Sequence, residues 1–213
     1  MLNKGYIQSV ASDLIKRYDT RSPFELCCAT GVEVFFADLG SLKGMYKYIK
    51  RNRFAVINEN LDDYTRNLVC AHELGHNIMH SDLAKKLCLQ EFVLYDMKSR
   101  PEYEANLFAS EILLHDSEIF TLAHDSFDIE QIANALYTDI NLVALKMASM
   151  NARGYQFRTV IDPKSDFFRM YFHNLASTNY CSDMFFKSST NSTFDALAVS
   201  LSIPDQTEVL PHI

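Results

Sequence analysis

The ten residues from Ala71 to His80, AHELGHNIMH, hold three histidines and a glutamate. His72 and His76 are four apart, so on an α-helix they lie about 40° apart in azimuth and about 6 Å apart along the axis. Both imidazoles then reach one ion. Glu73, turned about 100° from His72, would stand beside that ion instead of on it, where a carboxylate acts as general base for an attacking water. Zinc takes neutral imidazole nitrogens at about 2.1 Å, and a catalytic zinc keeps a position open for water after three protein ligands. The spacing therefore asks for a third ligand from another segment, and PEYEANLFASEILL (101–114) offers Glu102 and Glu104.

The surrounding pattern predicts elements able to carry these residues. Apolar positions Ile7, Val10, Ala11, Leu14 and Ile15 mark a helix over about 3–19, and Ser22-Pro23 opens a second short helix, PFELCCAT, closing near Gly31. The period then shortens. VEVFFADL, MYKYI (after the Lys43-Gly44 break) and RFAVIN are β-branched and aromatic runs that read as three short strands of a small sheet. From Leu61 the pattern is helical again, with Asp62 or Asp63 as N-cap and Leu68, Val69, Leu74 and Ile78 on the apolar side, so AHELGHNIMH falls inside a helix. A connection over about 81–99 leads to a helix with Pro101 in its first turn and Ala105, Phe108, Ala109, Ile112 and Leu113 as its apolar stripe. A helical hairpin follows at about 128–150, and beyond Gly154 the composition shifts to Phe, Tyr and the polar run KSSTNSTF.

AHELGH followed by EYEANLFASEILL resembles the ImmA/IrrE family of metallo-endopeptidases, found often in phages and mobile elements, whose pattern is HExxH and then E-x-E-A-N-x-F-A-x-x-L-L. The lead-in PFELCCATGVEV, the GMYKY strand and INENLDDYTRNLVCAHELGH fit as well, so the resemblance covers about residues 1–154. It implies an α+β, zincin-like fold: a small, mostly antiparallel sheet packed on the active-site helix, with further helices C-terminal. It also implies a gluzincin-like zinc site, with His72, His76 and Glu102 as ligands and Glu73 as catalytic base. Helical geometry favours the same glutamate. Glu102, Ala105, Asn106 and Ala109 share one face at i, i+3, i+4 and i+7, whereas Glu104 points about 160° away from Glu102. Asn106 looks like the residue with which similar zincins orient a zinc-bound histidine through its other ring nitrogen. Where the family shows Leu-Leu-Met-Pro, this chain has Leu114-His115-Asp116, and Tyr103 or His115 could steady an oxyanion or touch substrate. His80 is about 12 Å along the helix from His72, too far to share its metal, and reads as a helix-end residue that meets the dipole or packs locally.

Composition bounds the function. At 213 residues the chain can bury an ordinary core without staples, and five cysteines without a paired framework suit a reducing compartment. The N-terminus lacks a signal-peptide core and no stretch has the length of a membrane span, so the expected location is the cytoplasm. A net charge of −7 speaks against nucleic acid as the main partner, and Lys47–Arg53 (KYIKRNR) reads as a solvated hairpin turn. DIEQIANALYTDINLVALKMASM imitates a helix-turn-helix, yet its second helix has one basic residue, Lys146. A DNA-binding regulator is thus the weaker alternative to a helical hairpin that supports the zinc site.

The expected domains are 1–154, an ImmA/IrrE-like peptidase, and 155–213, an extension whose aromatics Phe167, Phe168, Tyr171, Phe172, Phe185 and Phe186 read as extra core. The resemblance implies that the enzyme cuts a helix-turn-helix repressor to relieve repression, holding the extended peptide against a sheet edge that MYKYI or RFAVIN would supply. A non-cleaving antirepressor or toxin-antitoxin-type module is the alternative, and Glu73 argues against it, since a pure binder needs no base beside a metal. Mn²⁺ or Fe would suit two imidazoles, a carboxylate and water as zinc does.

Overall fold

The computed structural model describes residues 4–85, 89–91 and 99–157. The N-terminal amphipathic run is α1 (Lys4–Tyr18), and Ser22 caps α2 (Pro23–Ala29), its hydroxyl accepting the Glu25 N–H. Strands β1 (Val32–Ala37), β2 (Gly44–Ile49) and β3 (Asn52–Asn58) precede α3 (Asp63–Met79). Asp62 starts α3, its carboxylate accepting from the Thr65 N–H at 2.9 Å and the Thr65 hydroxyl at 2.7 Å. Then come α4 (Ser81–Ala84), β4 (Leu89–Glu91), α5 (Arg100–Leu113) with Ser99 as N-cap, α6 (Asp116–His124), α7 (Ile129–Ala135) and α8 (Ile140–Ala152).

The strands form one sheet in the order β1-β3-β2-β4, with β1 parallel to β3 and β2 antiparallel to both β3 and β4. This is the mostly antiparallel sheet of the α+β architecture that the sequence implies. Ile49 pairs with Asn52, leaving Lys50 and Arg51 as a two-residue turn, both exposed and both in the left-handed region (φ 47° and 73°). Such a turn matches the twist of the strands it joins, so the charged run is indeed the hairpin tip.

Two expectations need correction. A fourth strand, β4, lies inside the 81–99 connection, because three residues are too few to display an alternation. MYKYI and RFAVIN, candidates for the sheet edge that would hold an extended peptide, are interior strands; among the described residues the edges are β1 and β4. The aromatics from Phe167 to Phe186, together with Cys88, Cys181, His173 and His212, lie outside the described residues.

The helical core gathers Leu68 and Ala71 from α3, Ala109 from α5, Ile119 from α6, Ile132 and Ala133 from α7, and Leu142, Val143, Met147 and Met150 from α8. The imitation of a recognition helix is therefore a core helix. Its one basic side chain, Lys146, is 1% exposed, and its Nζ sits 2.6 Å from both Glu111 Oε2 and Asp116 Oδ1. Arg153 closes this cluster on Asp116. Burial works to raise the Asp116 carboxyl, but Arg153 and Lys146 hold it down to about 2. Arg21 caps the end of α5, its guanidinium donating to the carbonyls of Glu111 (3.0 Å), Ile112 (2.9 Å) and Leu114 (3.3 Å). The hairpin is tied back to α3 through the Tyr64 hydroxyl, which lies 3.0 Å from Thr138 Oγ1 and accepts the Asp139 N–H at 2.9 Å.

Candidate metal centre

Close approach of α3 and α5 creates the site. A Cβ built on Gly75 would stand 3.1 Å from Ala105 Cα and 3.3 Å from both Ala105 O and Phe108 Cδ1. The two helices thus cross where their side chains are smallest, with Ala71, Ala105 and Ala109 buried alongside. One turn from this crossing, His72 and His76 point from α3 toward Glu102 on α5. His72 Nε2 lies 3.0 Å from His76 Nε2 and 3.1 Å from Glu102 Oε2, and His76 Nε2 lies 3.4 Å from that oxygen. Ligands at about 2.0–2.1 Å from a tetrahedral ion stand about 3.3 Å from one another, so the three atoms have the spacing of a zinc triangle.

The donor set also has suitable proton positions. Asn106 Oδ1, four residues after Glu102, is 2.9 Å from His72 Nδ1, and a carbonyl oxygen only accepts. His72 Nδ1 therefore carries the hydrogen, and the neutral ring turns its Nε2 lone pair toward His76 and Glu102. Burial pushes the His76 imidazole down to about 4, so it is neutral at pH 7 and has a lone pair to offer. Burial works to raise the Glu102 carboxyl, but its contacts with His72 and His76 hold it well below the usual carboxylate range. Two neutral imidazoles and a carboxylate converging on one point suit a divalent cation.

Glu73 is buried on the next α3 position, facing the sheet. Its Oε1 would be 2.8 Å from a Cβ on Gly44, which would also run into Val69 Cγ1. Only glycine lets β2 come this close to the carboxylate. Read as a break between strands, Gly44 is in fact the first residue of β2, and a glycine at a strand start was the available signal for close backbone approach. Tyr46, also on β2, is fully buried and donates its hydroxyl hydrogen to Asn77 Oδ1 at 2.8 Å, fastening the sheet to α3. Burial raises this phenol to about 12, so it remains a neutral donor.

The remaining candidates fall elsewhere. Glu104 turns away from the triangle, its Oε2 lying 3.1 Å from His80 Nε2 and its Oε1 accepting from Arg100 Nε at 2.7 Å. His80 caps the C-terminus of α3 and packs locally on His76, as expected of a helix-end residue, and its Nδ1 lies 3.1 Å from His76 Nδ1. Tyr103 is half-buried on α5, next to Glu102. His115 is not brought to the cluster: it lies beyond the far end of α5, which from Glu102 to Leu113 runs about 17 Å, and lines a separate cavity with Arg21, Glu111 and Lys146.

The chain is similar to known proteins over much of this structure. The peptidase-family model described as the IrrE N-terminal-like domain matches residues 27–147. An uncharacterised immunity region protein 2 of Bacillus phage phi105 is 38% identical over 128 residues, which is 60% of this chain and 80% of the relative. The metallopeptidase ImmA of Bacillus subtilis (strain 168) is 35% identical over 117 residues, 54% of this chain and 66% of that protein. The matched span contains α3, α5 and most of α8, the elements that carry and back the triangle, and the chain belongs to the family of IrrE N-terminal-like metallopeptidases.

Proposed function

We propose that this chain is a zinc-dependent endopeptidase that hydrolyses one peptide bond in a specific protein partner, a helix-turn-helix transcriptional repressor, and thereby relieves repression in the cytoplasm. The observation that carries this reading is the convergence of His72 Nε2, His76 Nε2 and Glu102 Oε2 within 3.4 Å of one another, with Glu73 on the adjoining position. His72, His76 and Glu102 would hold the ion, and Mn²⁺ suits the same donors. Bound zinc would supply a Lewis acid for the scissile carbonyl and acidify the attacking water. Glu73 takes the proton from that water and returns it to the leaving amine. Asn106 keeps His72 in its ligating tautomer. Tyr103 is the candidate for steadying the carbonyl oxygen, since His115 lies at the other end of α5.

Protein substrate and phage context are supported by the names of two relatives, a metallopeptidase and an immunity region protein of a phage. Among the described residues no helix is long and apolar enough to cross a membrane. Residues 1–154 make up the peptidase domain in this reading and 155–213 an extension; α1, although outside the family match, packs on α5 and α8 and so belongs with the former.

The test is incubation of the zinc-loaded chain with purified helix-turn-helix repressors from the same genome, followed by intact-mass spectrometry. Two fragments whose masses sum to the repressor plus one water, absent with chelator or with Glu73→Gln, are expected. A repressor bound but uncut would sink the peptidase and establish the non-cleaving antirepressor.

A further inference from the structure

The end of α3 carries side chains that the proposed reaction does not use. His76 Nδ1 is 3.1 Å from His80 Nδ1, His80 Nε2 is 3.1 Å from Glu104 Oε2, and Glu104 Oε1 accepts from Arg100 Nε at 2.7 Å. His80 and Glu104 are 9% and 6% exposed in their side chains, so water competes little for these hydrogen bonds.

With a neutral ring at His80, the chemistry of the ends sets the protons between them. A guanidinium only donates and an ionised carboxylate only accepts. His80 Nε2 must therefore carry the hydrogen that Glu104 receives. In a neutral ring that makes His80 Nδ1 an acceptor, so His76 Nδ1 donates to it and the His76 lone pair is left on Nε2. That atom faces His72 Nε2 and Glu102 Oε2. In the opposite tautomer of His76 a neutral His80 would have to donate through Nδ1 and turn a lone pair toward the Glu104 carboxylate, placing two acceptors face to face in a buried contact.

We infer that His80 and Glu104 are positioning residues for the metal centre. They act through His76, setting its tautomer and ring orientation so that Nε2 is presented to the ion, as Asn106 does for His72 from the other side. Arg100 anchors the far end of the chain by holding Glu104 in place. The inference rests on the metal-centre reading above, and it assigns Glu104 a part in the site without making it a ligand.

The test is zinc affinity, measured by competition with a chromophoric chelator on the full chain, with no substrate required. His80→Leu keeps most of the ring's volume but removes the acceptor, whereas His80→Asn loses volume but returns a carbonyl oxygen near the position of Nδ1. Loss of such a partner costs about 10–100-fold in metal affinity. His80→Leu and Glu104→Ala should each weaken zinc binding within that range, and His80→Asn should recover most of it. Because Glu104 acts through His80, adding Glu104→Ala to His80→Leu should cost less than about twofold more, the behaviour of residues that work as one unit.

A His80→Leu chain that binds zinc like wild type, or a His80→Asn chain as weak as His80→Leu, overturns the inference; the second result would mean that only ring volume matters. A full additional loss from Glu104→Ala in the His80→Leu background removes Glu104 from the relay. Should His80→Leu not fold, the comparison of His80→Asn with His80→Ala decides the same point. A wild-type chain that takes up no zinc is a different failure: it removes the metal centre itself.

Discussion

Gly75 is where the geometry of the candidate site is most exposed to a single methyl group. In Gly75→Ala the new Cβ would stand 3.1 Å from Ala105 Cα and 3.3 Å from Ala105 O and Phe108 Cδ1. Carbon contacts relax at about 3.5–4.0 Å, so α5 has to retreat by about half an ångström, since the nearest atom is backbone and cannot rotate away. Two effects oppose each other in stability. Alanine is better than glycine inside a helix by about 1 kcal/mol, while forcing a group into a close-packed contact costs about 1–3 kcal/mol. The metal-free protein should therefore lose about 1 kcal/mol, a fall in melting temperature of about 2–4 °C for a chain of this size.

The larger effect falls on the metal. Glu102 rides on α5, and its distances of 3.1 and 3.4 Å from the two histidine nitrogens open by the same shift while His72 and His76 stay put. Zinc affinity should drop about tenfold, equivalent to about 1.4 kcal/mol. Thermal melts without metal and chelator-competition titrations give the two numbers separately. A Gly75→Ala protein that melts higher than wild type and binds zinc equally well would refute the claim that this helix crossing sets the ligand triangle.

Three further outcomes follow from the same structure. Glu73→Gln should keep zinc but lose about 10²–10⁴-fold in hydrolysis, checked by metal analysis beside the cleavage assay. Lys146→Ala removes the 2.6 Å partner of both the Glu111 and Asp116 carboxylates, leaving Arg153 on Asp116 but 3.8 Å from the buried Glu111, and should cost about 3 kcal/mol in a denaturant melt. The folded-state value of Asp116, about 2, lies below its ordinary 3.8, so its contribution is fully present above about pH 4 and is lost as pH falls toward 2. Asp116→Asn should flatten stability against pH in that window.

Much of this site was legible because helical spacing is a local property. The four-residue spacing of His72 and His76, and the i, i+3, i+4 placement of Glu102, Ala105 and Asn106, fix directions before any packing is known, and the structure puts all of these side chains where a 3.6-residue period sends them. The choice between Glu102 and Glu104 as the side chain facing the histidines could be argued for the same reason. The roles of Gly44, Gly75 and His80 depend on contacts with another element, and a one-dimensional pattern shows a small or polar residue without what it meets. Strand order was hidden likewise: β2 and β3 carry the strongest strand patterns and lie in the interior, while β4 has only three residues. His115 shows the limit of reasoning by sequence proximity, since its closeness to the second motif leaves it a full helix length from Glu102.

The central claim is that His72, His76 and Glu102 together hold one divalent ion. Zinc per chain, measured by elemental analysis after zinc loading and dialysis of wild type, Glu102→Ala and Glu73→Gln, tests it most directly. One zinc in wild type and in Glu73→Gln, with none in Glu102→Ala, is the predicted result; a wild-type chain without zinc, or a Glu102→Ala chain that keeps it, would contradict the account.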